Sequence, residues 1–357
     1  MNRSTADKLR VFWFKWESRD PVRMSSRSTK KSRVVCISHK EDMDGLGSAA
    51  LVRQATGAEA MLVDYVGQMD RIREVAADPT LKSLHICDLG TSKKNEDEFV
   101  QILTALRKRH VRVTYIDHHD LSRRIIRALE SVKVRMVHNV GECTAVQVFE
   151  TYKKRLPADS AFIAVCSAIT DYMEDRPKAS KLLQMYDRQF AMISATVMTY
   201  NIVGHQKDPD YLLSLVDSLT ALKFPHQIPD SFETARLQVE RLAGIMEKVK
   251  DGYKKMRNLA HMEITDAGAS GAVNFVLGLS GKEVGVAYKE RADYGNYAVS
   301  IRGSRSCKVH LGRVVNPLAT SLGGSGGGHS RACGALIPKS KIKTFLREMN
   351  RQLDGRL

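Results

Sequence analysis

From Ser32 onward, short apolar runs alternate with amphipathic stretches. The runs SRVVCIS, AEAMLVDYV, LKSLHICDLG, VRVTYID and VKVRMVHN predict five strands. Stretches with helical spacing, such as GSAALVRQAT and EDEFVQILTALRKRH, lie between them. Strands separated by helices predict an α/β fold whose doubly wound parallel sheet is covered on both faces.

The second half of the chain has a different pattern. From CTAVQVFETYKKRL to about Leu222 the spacing is mainly helical, and residues 231–262 predict one long amphipathic helix. KEVGVAYKE and NYAVSIRGS predict paired strands, GGSGGGHSRACG a long glycine loop, and SKIKTFLREMNRQL a closing helix. We therefore expect a smaller second α/β domain. The expected segments are a basic disordered tail (1–32), a first domain (33–225), a linker helix (226–263) and a second domain (264–357).

Composition and charge narrow the class of protein. The 357 residues are 43% hydrophobic, which is enough for two ordinary cores, and the formal charge is +16. A basic chain suits a polyanionic partner such as nucleic acid, although a solvated basic surface explains the charge equally well. No apolar run reaches the length of a membrane span, and we see no signal peptide. Six scattered cysteines predict free thiols in a cytoplasmic protein.

Side chains with metal-binding chemistry follow four of the five predicted strands. The carboxyl ends of parallel strands meet at one edge of a sheet, where such folds bind ligands. Loops far apart in sequence would therefore bring acids and imidazoles to one crevice. The residues are His39, Asp42 and Asp44 after the first strand, Asp88 after the third, Asp117, His118 and His119 after the fourth, and His138 and Asn139 after the fifth.

Each of these groups alone has an ordinary explanation, such as a polar turn or the cap of a helix. Together they favour a metal site, because several carboxylates in one crevice repel each other unless a cation neutralises them. A mixed carboxylate and imidazole set suits manganese, magnesium or iron. The number of ligands favours two ions about 3.5–4 Å apart, which could hold a hydroxide for attack on phosphorus.

The ordered motifs resemble those of a known family. SHKEDMDG, CDLG, DHH and ITDYMED are similar to the four acidic motifs of the DHH phosphoesterase superfamily. VSIRGS and GGGHSRACG are similar to its DHH-associated C-terminal domain. The resemblance covers roughly residues 34–190 and 265–338, and it implies a catalytic metal-binding domain followed by a substrate-binding domain.

The resemblance also implies a ligand set for two divalent ions, preferably Mn²⁺, with Mg²⁺ as an alternative. One ion would be held by His39, Asp42 and Asp88, and the other by Asp44, Asp88, His118 and Asp171. Asp88 would bridge the two ions. Glu174 and Asp175 are alternatives to Asp171, which the motif match favours.

Other motif residues would handle the substrate. Asp117 would orient an imidazole, and His119 would contact the scissile phosphate and act with Asp88 as a catalytic residue. Asn139 has two interpretations, a substrate contact or a turn residue. A terminal phosphate or nucleotide would be bound by Arg302, Gly326, Gly327, Gly328 and His329.

These expectations combine into a metal-dependent phosphodiesterase that removes mononucleotides from an end of short RNA. Dinucleotides, cyclic or linear, and phosphoadenosine phosphate are alternative substrates, followed by single-stranded DNA in a RecJ-like reaction. A non-catalytic nucleic-acid-binding scaffold is the alternative from another class, although such a protein should lack acids at several motif positions. A homodimer is expected from the resemblance alone.

Overall fold

The computed structural model describes residues 32–92, 94–265, 268–328 and 330–356. The expected disordered tail (1–32) lies outside these ranges except for Ser32, and so does His329. The helices of the described residues are α1 (Met43–Thr56), α2 (Gln68–Ala77), α3 (Glu96–Lys108), α4 (Arg123–Ser131), α5 (Thr144–Tyr152), α6 (Ala161–Thr170), α7 (Pro177–Leu183), α8 (Arg188–Gly204), α9 (Pro209–Thr220), α10 (Ser231–Gly252), α11 (Ala269–Ser280), α12 (Leu311–Ser321) and α13 (Ile342–Gln352). The strands are β1 (Arg33–His39), β2 (Glu59–Val63), β3 (Leu81–Cys87), β4 (Arg112–Asp117), β5 (Arg135–His138), β6 (Lys254–Lys255), β7 (Ala260–Glu263), β8 (Val284–Arg291), β9 (Asn296–Gly303), β10 (Ser325–Gly328) and β11 (Ala332–Pro338).

The first five strands form one parallel sheet in the order β2-β1-β3-β4-β5. Strand residues alternate between two cores: Cys36 and Cys87 face α1, α5 and α6, whereas Val35 and Ile86 face α2, α3 and α4. Both faces are therefore covered, which explains why the strands read as continuous apolar runs. The expected doubly wound parallel sheet is confirmed.

Local signals set the start and end of the helix that follows β1. Asp42 precedes α1 in extended conformation, and its side chain accepts a hydrogen bond from the Gly45 amide at 2.9 Å. Gly57 ends the helix at φ 71°, where a residue without a Cβ is least strained. Gly45 has a packing role, because a Cβ at that position would lie 2.2 Å from the carbonyl oxygen of His39.

The remaining six strands form a second, mixed sheet in the order β10-β11-β9-β8-β7-β6. The β7–β8 pair is parallel, and the other pairs are antiparallel. Two further cores surround this sheet, one against α12 and α13, the other against α11 and the end of α10. The expected second α/β domain is confirmed.

Two sequence expectations in this half are corrected. The helix expected across residues 231–262 ends at Gly252, and the apolar positions beyond it belong to β6, β7 and their connection. The glycine-rich segment is not a loop, because residues 325–328 form strand β10 against β11. A Cβ at Gly326 would lie 2.9 Å from the Cβ of Ala335 and 3.1 Å from that of Ala319, so the missing side chain allows β10 to pack closely.

All six cysteines are buried and lie outside any disulfide, as expected. Among the described residues, no helix is both long and apolar enough to cross a membrane.

Candidate metal centre

The strand order places the site where the direction of winding reverses. The chain passes from β1 outward to β2, returns to β3 on the other side of β1, and continues outward through β4 and β5. Connections on the two sides of this switch point leave the sheet in opposite directions, which opens a crevice at the carboxyl ends of β1 and β3. Asp44 follows β1 and Asp88 follows β3, so both acids lie at this point.

Asp44 is completely buried and is held by the start of α5. Its two carboxylate oxygens accept hydrogen bonds from the backbone amides of Thr144 and Ala145, both at 2.7 Å. These amides are among the first of the helix, which have no partner within it and favour an anion. The start of α5 therefore fixes the Asp44 side chain.

Asp88 lies at the centre of the group. Its Oδ1 atom is 3.4 Å from His118 Nε2 and 3.9 Å from His119 Nδ1, and it accepts a hydrogen bond from the Thr144 hydroxyl at 3.1 Å. The backbone of Asp88 is in the left-handed region at φ 55°, which is uncommon for a residue with a side chain. Its amide donates to the Ile116 carbonyl at 3.1 Å, so the turn after β3 is tied to β4.

His118 joins three carboxylates. In addition to Asp88, its Nε2 atom lies 3.9 Å from Asp44 Oδ2 and 3.6 Å from Asp171 Oδ2. Asp171 ends helix α6, which belongs to the helical part of the chain beyond the sheet. The ligand atoms of Asp44, His118 and Asp171 lie within 4.8 Å of one another, as do those of Asp88, His118 and His119.

His119 is held by a chain of hydrogen bonds. Its Nδ1 atom is 2.7 Å from Asp117 Oδ1, and the other oxygen of Asp117 accepts a hydrogen bond from the Tyr115 hydroxyl at 2.9 Å. Its Nε2 atom is 2.8 Å from the hydroxyl of Tyr65. The carboxylate of Asp117 favours a proton on Nδ1, so Nε2 is the atom of His119 that remains for other partners such as Tyr65.

His39 and Asp42 border the same crevice. His39 Nε2 lies 3.6 Å from Asp42 Oδ2, while the other oxygen of Asp42 caps α1. The Nδ1 atom of His39 is buried and has no hydrogen-bond partner among the described residues. The pair is near the central group, although its atoms do not form one of the two close ligand sets described above.

The charges in this group oppose one another. Burial and the neighbouring Asp88 carboxylate raise the pKa of Asp44 to about 7. Burial and the carboxylates of Asp44 and Asp42 also raise the pKa of Asp171 well above its usual range. For Asp88 burial acts in the same direction, but the hydrogen bond with His118 and the charge of His119 outweigh it and lower the pKa.

The two imidazoles respond in the opposite sense. Burial lowers the pKa of His118, but its hydrogen bond with Asp88 and the Asp44 charge prevail and raise it to about 9. Burial likewise lowers the pKa of His119, and Asp117 raises it to about 9. The folded chain thus uses protons to offset buried negative charge. A divalent cation bound to these donors would do the same more effectively, so the donor set fits a metal ion.

The remaining predicted residues are in neither of the close ligand sets. Asn139 is exposed, and its side chain accepts a hydrogen bond from the Gly141 amide at 2.9 Å, as expected for a turn residue. His138 lies along the crevice wall, where its Nε2 atom is 2.7 Å from the His119 carbonyl oxygen. Glu174 and Asp175, the two alternatives to Asp171, are in neither of the close ligand sets. Arg302 lies in β9 and Gly326, Gly327 and Gly328 in β10 of the second sheet.

Sequence reasoning missed two contributors to the site. Tyr65 follows β2, the one strand for which no polar group was considered, and Thr144 begins α5. Both are recognisable only by position. CTAVQVFE was already expected to be a helix after the fifth strand, so its first amides could have been assigned to the strand-end crevice as an anion-binding group.

Comparisons with known proteins agree with this geometry. Residues 253–355 match the family model described as the DHHA1 domain. The solved structure of a DHH domain, described as a member of a family of ribosomal proteins, superposes with a TM-score of 0.69 at 14% identity, covering 91% of this chain and 87% of that one. The chain has the DHH fold with a DHHA1 domain. No curated protein matches the sequence.

Two other structures with this fold are described by their activity or ligands. The pGpG-specific phosphodiesterase PggH from Vibrio cholerae gives a TM-score of 0.56 at 14% identity, covering 90% of this chain and 100% of that one. RecJ from Thermus thermophilus, in complex with Mn²⁺, gives 0.56 at 15% identity over 90% of this chain. The DHH-fold chain spans 52% of that RecJ. At such identities the comparisons establish the shared fold.

Proposed function

We propose that this chain is a metal-dependent phosphodiesterase that hydrolyses short RNA oligonucleotides from an end to mononucleotides. The observation that carries the proposal is the group of Asp44, Asp88, His118 and Asp171, which four separate segments bring together at the switch point of the sheet. Buried carboxylates at such short range are costly to maintain without a cation. The same crevice is where folds of this topology bind ligands.

Two ligand sets would hold two divalent ions, Mn²⁺ in preference to Mg²⁺. The first set comprises Asp44, Asp88, His118 and Asp171, and the second His39, Asp42 and Asp88. When bound, such ions supply a hydroxide at neutral pH and neutralise charge on a phosphate. The ligand distances support the first set, and the RecJ structure with Mn²⁺, whose fold this chain shares, supports the choice of metal. The second set rests on the motif resemblance.

The chain itself would orient and stabilise the phosphate. Asp117 fixes the ring of His119 through Nδ1, so that Nε2 faces the crevice as a hydrogen-bond donor or acceptor. We assign His119 to the scissile phosphate, where a protonated imidazole stabilises negative charge as it develops. Asp88, which is shared between the two ligand sets, is the second catalytic residue.

The second domain would bind one end of the substrate. Arg302 is half-buried, and burial lowers the pKa of its guanidinium, so a bound anion would offset the cost of burying this charge. The backbone of Gly326, Gly327 and Gly328 offers amides without side chains at the edge strand of this sheet. His329 remains in this role as a proposal from the motif, and Asn139 stays a weaker candidate because its side chain serves a turn.

Short substrates are favoured by the chain and by one relative. Aromatic residues make up only 6% of the sequence, and among the described residues no strand is rich enough in aromatics to offer a stacking platform for a long single strand. PggH, which shares the fold, is described as specific for pGpG, a linear dinucleotide. The charge of +16 favours a polyanionic substrate and predicts salt-sensitive binding.

The decisive experiment is a substrate panel analysed by chromatography. It contains RNA and DNA of two to about 20 nucleotides, pGpG, cyclic dinucleotides and phosphoadenosine phosphate, with Mn²⁺ or Mg²⁺; the length series separates end-binding from tracking along a strand. We expect mononucleotides from short RNA. Preference for long single-stranded DNA would instead support a RecJ-like exonuclease, which the shared fold also allows. Turnover that survives exhaustive metal removal would refute the mechanism.

The structure dictates which variants to compare. Asp88→Asn removes the charge and keeps a residue that tolerates φ 55°, whereas Asp88→Ala adds backbone strain to the loss of the carboxylate. We expect D88N to lower turnover more than about 100-fold, the upper range for loss of a partner that only orients a metal ligand. Asp159→Asn, at an exposed position away from the crevice, is the matched control and should leave turnover unchanged.

A wild-type protein that turns over nothing in the panel would favour the non-catalytic scaffold. The homodimer stays a prediction, which light scattering on the purified chain measures.

A further inference from the structure

Tyr65 lies between two imidazoles of the candidate metal centre. It follows β2, and its hydroxyl is 2.8 Å from His119 Nε2. Its ring packs against His39 with a centroid distance of 4.9 Å and meets the His119 ring edge-on at 6.0 Å. Tyr65 is nevertheless 44% exposed, so it borders both the crevice and the solvent.

The loop that carries Tyr65 is fastened to the segment after β1. One oxygen of Asp64 accepts a hydrogen bond from the Gly67 amide at 2.8 Å, and the other is 2.9 Å from Lys40 Nζ. The Lys40 amide also donates to the Val63 carbonyl at 3.0 Å. The loop therefore keeps a fixed place beside His39, with Tyr65 directed inward and Val66 outward at 92% exposure.

The contact with His119 concerns the atom that a substrate must reach. Nδ1 of that ring is occupied by Asp117, so a phosphate oxygen can approach only Nε2. The Tyr65 hydroxyl lies at hydrogen-bond distance from Nε2, close to where a phosphate oxygen would lie. A phenol both donates and accepts, whereas an ionised phosphate oxygen only accepts. The hydroxyl can therefore turn from the imidazole and donate to an arriving phosphate.

We propose that Tyr65 is a phosphate-binding residue of this site, its hydroxyl contacting His119 in the free chain and the phosphate of the ligand in the complex. The inference rests on the proposed function for the nature of its ligand, a phosphate ester. Donation to an anionic oxygen is among the stronger hydrogen bonds in proteins. No proton transfer and no change of charge is required.

The test compares Tyr65→Phe with wild type. Phe keeps the ring against His39 and removes the hydroxyl alone, so the fold should be retained. We expect kcat/KM for the best oligonucleotide of the panel to fall roughly 10- to 100-fold, the range for one hydrogen bond to a charged group. Tyr294→Phe, an exposed tyrosine in the second domain, is the matched control and should behave as wild type.

Two further measurements do not depend on turnover. Isothermal titration with inorganic phosphate in the presence of Mn²⁺ should show weaker binding to Y65F by roughly tenfold or more. In the metal-free protein, diethyl pyrocarbonate should modify His119 about fivefold faster in Y65F, because the contact between the Tyr65 hydroxyl and the Nε2 atom has been removed. Mass spectrometry of the His119 peptide, with exposed His226 as internal reference, gives the rates.

The outcomes separate the two proposals. Equal phosphate affinity and equal kcat/KM in wild type and Y65F would overturn the role of Tyr65 even if the enzyme is active. A wild-type chain that binds no phosphate would overturn it as well. Absence of turnover together with weaker phosphate binding by Y65F would reject the phosphodiesterase and keep the phosphate-binding role.

Discussion

His85 is a buried histidine that the metal centre does not use. It lies in β3 on the face covered by α5, where the Tyr152 hydroxyl is 3.1 Å from Nδ1 and the Ser83 hydroxyl is 3.3 Å from Nε2. Burial, together with the nearby charges of Arg112 and Arg135, lowers the pKa of His85 to about 4. The folded chain therefore holds a neutral ring at a pH where an exposed imidazole would take up a proton.

This shift makes stability depend on pH in a defined window. The unfolded chain binds the proton near pH 6.5 and the folded chain near pH 4, so the contribution of His85 is complete above pH 6.5 and is lost as the pH falls toward 4. Relative to His85→Gln, wild type should lose about 1.6 kcal/mol of unfolding free energy between pH 6.5 and pH 5. Denaturant titrations of both proteins in the presence of a chelator measure this difference in unfolding free energy. A difference that does not change with pH would contradict the expectation.

At the residue scale, the sequence predicted the charged and imidazole side chains that stand at unusual positions, directly after apolar strands. An acid or imidazole directly after an apolar strand is conspicuous, and Asp44, Asp88 and His118 do meet in one crevice. Tyr65 could not be predicted in the same way, because a tyrosine after a strand is ordinary in composition. Its meaning depends on the 2.8 Å contact with His119, which only the fold of both loops creates.

Helix ends show how much strain the elements carry. Gly57 ends α1 with φ 71°, and no atom lies within 4 Å of where its Cβ would be. Beyond α4, Lys133 has nearly the same conformation with φ 60°, and the Val134 amide returns to the Leu129 carbonyl at 3.1 Å. The left-handed conformation costs little for glycine and about 1–2 kcal/mol for other residues.

Opposite substitutions at these two ends should have opposite effects. Lys133→Gly relieves the strain at an exposed position, and after the added freedom of the unfolded chain it should raise the free energy of unfolding by roughly 0.5–1 kcal/mol. Gly57→Ala introduces the strain without a clash and should lower it by about 1 kcal/mol. Urea denaturation of both variants checks the signs, and equal signs would show that the backbone conformation is not the cause.

Element boundaries were predicted best where the apolar periodicity is strong, as in α3, which begins at Glu96 as expected. The start of α1 at Met43 lies four residues before the predicted one. Boundary predictions failed where one periodicity continued across a change of structure. The apolar residues after Gly252 continue the spacing of the helix by chance, because the half-buried strand β7 also alternates apolar and polar residues. The glycines of β10 indicated a loop because the sequence does not show that Ala319 and Ala335 press against the strand and leave no room for side chains.

At the scale of the whole molecule, the chain has separate hydrophobic cores joined by α10. The two cores of the parallel sheet end at Ile228, and the two cores of the second sheet begin at Ile245. Between them, residues 236–244 of α10 have no fully buried member. The helix has 22 residues and is therefore about 33 Å long.

This division predicts a selective effect of metal ions. Every proposed metal ligand lies between residues 39 and 171, in the part of the chain that forms the parallel sheet and its helices. Mn²⁺ should therefore raise the melting temperature of that part and leave the transition of the second domain unchanged. At an excess of 100-fold over the dissociation constant the gain is about 2.7 kcal/mol. Calorimetry with Mn²⁺ and with chelator measures the shift in melting temperature. The D88N variant should show no such shift. An equal shift of all transitions would contradict the division.

The two hydrogen bonds from the start of α5 to Asp44 affect how a cation would bind in the crevice. Both oxygens of Asp44 accept hydrogen bonds from amides at 2.7 Å, so the side chain loses its rotamer freedom during folding. Binding of an ion to Asp44 therefore costs little further conformational entropy. Protons on Asp44 and Asp171 can offset part of the negative charge at this fixed position. A bound cation would replace those protons without requiring Asp44 to move.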